Sequence, residues 1–241
     1  MKKILYLLVG VFMLLGVSRV SALSNTYVNA NHVEMEYELY EKLSELYSKK
    51  YMEFVTKERY DELKETDFDA VEVVRYVDRP LIQPFASKVE TEYKILKFIK
   101  NGTMVTLHLQ WKKMPATRSY DVMGIRFSGV KLNGSIVVKQ YDNINGSRFI
   151  SSGNYSMFSN GFGVSFLLPN GNLNELEEHI EFRYSGSGTI YGTYQHAQRS
   201  LSLADSKKYS ISSLGLGGVL KFASTTISDK YDKMNGVSIN V

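Results

Sequence analysis

Asn-Gly pairs at 101, 133, 145 and 235 punctuate this chain. Each is a strong hairpin signal, because both residues tolerate the positive φ that a type I′ turn demands. The first pair joins two alternating arms between Val89 and Lys113. On the outgoing arm Tyr93, Ile95, Lys97 and Ile99 share a face; on the return, Val105, Leu107, Leu109 and Trp111 alternate with Thr106, His108, Gln110 and Lys112. That is the period of a half-buried strand. A chain built from such units folds as an antiparallel sheet.

The same pattern runs from Asp67 to the end. Val71, Val73, Arg75 and Val77 open it, and Pro80 stops that strand. Further strands are expected at 120–127, 135–141, 163–168, 179–184, 189–196, 209–213, 219–222 and 237–241, with turns at Asn133-Gly134, Asn145-Gly146, Pro169-Asn170-Gly171-Asn172 and Asn235-Gly236. No helix-length periodic segment separates them, so βαβ units are excluded. The expected fold is mainly β, an antiparallel β-sandwich or jelly roll of about ten strands.

Residues 34–64 have a different period. Met35, Leu39, Leu43, Leu46 and Tyr47 recur at helical spacing, with Glu36, Glu41, Lys42 and Glu45 elsewhere on the surface. A second helix is expected to start at Thr56 as N-cap, with Glu58 in its first turn and Tyr60 and Leu63 turned inward. The expected organisation is therefore a leader at 1–22, a helical hairpin within 23–67 and a β domain at 68–241.

The leader expectation rests on Lys2 and Lys3, the apolar run Ile4–Val17 and Val20-Ser21-Ala22, which place charge, core and small residues as signal peptidase requires. Cleavage after Ala22 predicts an exported protein of 219 residues. No later stretch has the length of a membrane-spanning helix. With no cysteine, neither disulfides nor a lipidated cysteine is available, and the apolar core must supply the stability. Losing Lys2, Lys3 and Arg19 leaves 26 basic against 25 acidic residues. Such a balance is no nucleic-acid footprint.

Leu46-Tyr47-Ser48, Tyr51-Met52, Thr56, Tyr60-Asp61 and Trp111-Lys112-Lys113-Met114-Pro115 resemble uncharacterised secreted proteins of low-GC Gram-positive bacteria. The resemblance implies only an exported compartment.

Candidate chemistry is sparse. Glu177, His179 and Glu181 would share one face of a strand while Ile180, Phe182 and Tyr184 face the core. This is the best local metal-ligand set, but an exposed strand reads the same way, and a solvated face is the expectation. Asp142-Asn143-Ile144-Asn145-Gly146 puts Ile144 where a calcium loop needs oxygen, so a hairpin turn is expected there. Leu214-Gly215-Leu216-Gly217-Gly218 lacks dinucleotide-loop spacing, and no cofactor is implied. The ligand-binding candidates are His196, Tyr194, Tyr191, Gln195 and His108, since a glycine-interrupted strand there offers stacking rings beside hydrogen-bonding groups.

Three functions remain. The first is a secreted or cell-surface module binding a glycan or an envelope or host protein. The second is a jelly-roll polysaccharide hydrolase or lyase using Glu90, Glu92, Asp121 or a Tyr/His pair. The third is a pore former built from the Ser/Thr/Gly-rich stretches 185–193 and 206–228.

Overall fold

The computed structural model describes residues 25–74, 88–90, 94–212, 219–232, 234 and 236–241. The expected leader, the strand residues 75–77, Glu92, the glycine cluster at 214–218 and Asn235 fall outside them. The chain is mainly β, with a large antiparallel sheet and few helices. In order it forms β1 (Thr26–Val28), β2 (Glu34–Glu36), α1 (Tyr37–Tyr47), α2 (Lys49–Glu53), α3 (Lys57–Leu63), β3 (Glu72–Val74) and β4 (Lys88–Glu90). Next come β5 (Lys94–Asn101), β6 (Met104–Trp111), β7 (Tyr120–Asp142), β8 (Gly146–Phe149), β9 (Tyr155–Phe158), β10 (Gly161–Leu167) and β11 (Leu176–Gln195). The chain closes with α4 (Leu203–Ser206), β12 (Tyr209–Ile211), β13 (Leu220–Phe222), α5 (Thr225–Ser228) and β14 (Val237–Asn240).

The main sheet runs β3-β5-β6-β11-β7-β10-β9, with β4 added to β5, β14 to β11 and β8 to β7. The hairpin at Asn101 is present, its two-residue loop being Gly102-Thr103 because Asn101 already pairs with Met104. Asn133-Gly134 is not a turn. The expected strands 120–127 and 135–141 are one strand, as are 179–184 and 189–196, and β7 pairs with β11 from Asp142↔Leu176 to Val122↔Gln195. Register shifts lie between Glu181 and Arg183 and between Gly186 and Thr189, so the glycine pairs act as bulges that bend a continuous ribbon. Gly129, at φ 77, accommodates the second bulge, where a Cβ would stand 2.7 Å from the Ser187 carbonyl oxygen.

The bends divide the sheet into halves. Glu177–Arg183 of β11 pairs with β6, whereas Thr189–Gly192 pairs with β14. Leu96, Phe98, Leu107, Phe162, Phe166, Ile180, Phe182, Ile190 and Val237 from both halves meet in one core. Each such side chain contributes about 1.5–3 kcal/mol by leaving water. The halves approach so closely that a Cβ on Gly192 would lie 2.7 Å from Phe98 Cζ.

The other face of β5, β6, β7 and β11 is covered by the helices. Thr56 caps α3 by accepting from the Arg59 N–H, and Tyr60 and Leu63 are buried, as their spacing predicts. In α1 the buried side chains are Tyr40, Leu43, Ser44 and Tyr47. They pack with Tyr51, Met52 and Val55 against Ile99 and Tyr141 of the sheet, while Leu39 and Leu46 are only partly buried.

Candidate functional site

Under the helices lies a polar grid set by strand register. Lys139, His179, His108 and Lys97 follow one another across β7, β11, β6 and β5. The row above is Tyr141, Glu177, Gln110 and Ile95. Glu177, His179 and Glu181 are therefore not on a solvated face. They are 5%, 0% and 7% exposed, and His108 is 1% exposed. The three do alternate with Ile180, Phe182 and Tyr184 along the strand, but a helical layer covers their face instead of water.

The two imidazoles stack, with ring centroids 4.0 Å apart and planes 19° from parallel. Both Nε2 atoms stand 3.3 Å from Glu177 Oε2. Ser48 Oγ donates to the same oxygen at 2.5 Å, and Gln110 Nε2 donates to Oε1 at 3.1 Å. Ser48 joins α1 to α2 at φ 111 and ψ 155, a conformation that strains any residue with a Cβ. The strain places one hydroxyl between the Tyr51 N–H, which it caps, and Glu177.

Burial and the neighbouring His179 press His108 down to about 3, and burial also lowers His179. Both imidazoles are neutral at physiological pH, with lone pairs available. Burial alone would raise Glu177, but the two histidines beside it, His179 through a hydrogen bond to Oε2, outweigh it and hold the carboxyl below its usual range. His108 Nδ1 and His179 Nδ1 have no hydrogen-bond partner, which costs about 1–3 kcal/mol for each. Glu181 is occupied differently: its carboxylate lies 3.3 Å from Arg59 Nε, which donates to Tyr51 Oη at 2.9 Å.

Among the described residues, clefts reach this grid from more than one place. A cleft of about 780 Å³ is walled by Tyr40, Lys50, Phe54 and Trp111 and floored by Gln110 and Glu177. A second, of about 400 Å³, reaches His108 past Lys42 and Phe68. Glu45, Lys97 and Gln110 line both.

His196 and Tyr194 do come together, at Asp121. His196 Nδ1 donates to Asp121 at 2.9 Å, the Tyr194 hydroxyl donates to Asp121 Oδ2, and the Ala197 N–H donates to Oδ1 at 2.9 Å. Trp111 Nε1 donates to Tyr194 Oη at 3.0 Å, and Lys94 pairs with Asp232, which also accepts the His196 N–H. Burial and the nearby Asp121 charge keep the Tyr194 hydroxyl protonated, well above its ordinary pKa. Asp121 and Tyr194 are fully buried, so this network fastens the end of β11 to β7.

The other candidates lie apart. Tyr191 stacks under Arg126 at 3.8 Å, Gln195 donates to the Met234 carbonyl, and His108 belongs to the grid. Asp142 closes its turn by accepting from the Ile144 and Asn145 N–H groups. The stretch Ser185–Thr193 is held within β11, against β7 and, at Thr189–Gly192, also against β14. Missed altogether was the pairing of His108 with His179, a contact between residues 71 positions apart for which only strand order gives a signal. No family model matches the chain, and no curated protein or solved structure does.

Proposed function

We propose that the protein is an exported, non-enzymatic module that binds a glycan in the 780 Å³ cleft between the helices and the sheet. The reading is carried by that cleft's lining. Tyr40, Phe54 and Trp111 line it with aromatic side chains, and Ser44, Lys50, Glu53, Gln110, Asn174 and Glu175 line it with polar ones, the mixture a sugar ring needs. Export rests on the leader-like first 22 residues and the resemblance to secreted Gram-positive proteins. As to the finer architecture, we read the bent ribbon as a two-layer sandwich, which the shared core of both halves supports. The hydrolase or lyase alternative has weaker support, because Asp121 and Tyr194 are buried and already bonded to each other.

The test incubates purified protein with insoluble polysaccharides and cell-wall fragments and assays the supernatant for unbound protein and released reducing ends. Depletion without release, abolished in Phe54→Ala and Lys50→Ala, supports the reading. Release of sugar ends overturns the non-enzymatic part, and absence of depletion overturns the glycan.

A further inference from the structure

We propose that His108, Glu177 and His179 bind one divalent transition-metal ion of the zinc class. One ligand atom from each of these three buried residues lies within 4.8 Å of the others. Two imidazoles and a carboxylate form the donor set of an open zinc site, in which a fourth position is left to water or substrate. The spacing also suits it. Ligands held at about 2.0–2.1 Å in a tetrahedron stand about 3.3 Å apart, and each histidine Nε2 is 3.3 Å from Glu177 Oε2.

The surroundings point the same way. His108 leaves its Nε2, the atom next to Glu177, without a hydrogen bond of good geometry, although the side chain is 99% buried. Polar atoms left in this state call for a partner that the protein itself does not supply. Ser48 and Gln110 hold the Glu177 carboxylate from both sides, as outer-shell groups hold a ligating carboxylate. Two clefts reach the three residues, Glu177 lining one and His108 the other. Binding requires the stacked rings to open beyond 19°, so that both lone pairs converge on one ion. Lys97, whose charge acts on both imidazoles, also bonds the Leu46 carbonyl, and this anchors it to the helix side of the grid.

The inference stands apart from glycan binding and is tested without a sugar. Untagged full-length protein is stripped with chelator, titrated with Zn²⁺ and then with Co²⁺, and dialysed for metal analysis. The expected result is one ion per chain and a Co²⁺ complex with the intense visible bands of tetrahedral coordination. Zn²⁺ affinity should weaken about a hundredfold or more in His108→Gln and Glu177→Gln, judged against the 10–100-fold effects seen for mere outer-shell changes. It should be retained in the surface variant His32→Ala. No retained ion, the weak bands of octahedral Co²⁺, or unchanged affinity in variants with wild-type circular dichroism would overturn the proposal. Should a buried variant fail to fold, the wild-type stoichiometry and Co²⁺ spectrum decide alone.

Discussion

Arg59 and Glu181 face each other at 3.3 Å across the joint between α3 and β11, with only 10% and 9% of their side chains exposed. Arg59 also lies over the Tyr47 ring and bonds Tyr51, so one guanidinium fastens both longer helices to the sheet. Removing one member of a buried pair strands its partner's charge, at a cost of about 3–5 kcal/mol. Arg59→Ala is therefore expected to lower urea-unfolding stability by about 3 kcal/mol. Glu62→Gln is the control: it removes Arg59's more exposed partner and should cost under about 1 kcal/mol. Equal losses would contradict the distinction.

At Ser48 the backbone and the side chain make opposite demands. The φ of 111 favours glycine, while the cap on Tyr51 and the bond to Glu177 need the hydroxyl. Ser48→Ala loses the hydroxyl and keeps the strain; Ser48→Gly loses the hydroxyl and relieves it. Thermal melts should rank wild type above Ser48→Gly and Ser48→Gly above Ser48→Ala, the latter two separated by about 1 kcal/mol. An alanine variant melting at or above the glycine variant would be inconsistent with the strain.

Asp121 accepts from three donors, His196, Tyr194 and the Ala197 N–H. Asp121→Asn turns one of its two acceptor oxygens into a donor, facing groups that themselves donate. A loss of about 2–4 kcal/mol is expected, from unmet buried donors. Tyr194→Phe should cost about half as much. Chemical denaturation of both variants measures the difference, and a neutral Asp121→Asn would mean that the network is slack.

Tyr209 gives the pH dependence. Burial, offset in part by Ser156, pushes its hydroxyl up to about 12. The unfolded tyrosine ionises near 10, so the unfolded state loses its proton first as the solution turns alkaline. This contribution is intact below about pH 10 and is lost as pH rises toward 12. Tyr209→Phe should flatten that alkaline limb of the stability curve by about 2 kcal/mol while changing little at pH 7. A limb of unchanged steepness would assign the loss to other groups.

Much of the local structure was legible because its causes are local. Thr56 offers a cap oxygen at the start of a helical period, and Asn101-Gly102 joins two alternating arms; both produced the expected element. Asn133-Gly134 carries the same residues and did not. A glycine at positive φ suits a bulge as well as a turn, and the choice depends on whether a long partner such as β11 lies alongside. The same holds for Glu177, His179 and Glu181. Their alternation marks a face, but whether water or a helix covers it depends on Tyr47, Tyr51 and Arg59, more than a hundred residues earlier. The candidate site is a product of register and layering, neither of which a single strand's residues encode.

Because β7 and β11 each run through both halves of the bent sheet, neither half owns a complete hydrogen-bonding ladder. Fraying one half breaks strands that the other depends on, so the two must melt as one cooperative unit. Amide protons of Val122–Val138 and of Ile180–Tyr194 would then exchange with a single opening free energy. A protease that nicked the ribbon at either bend would release two fragments, with no surviving domain.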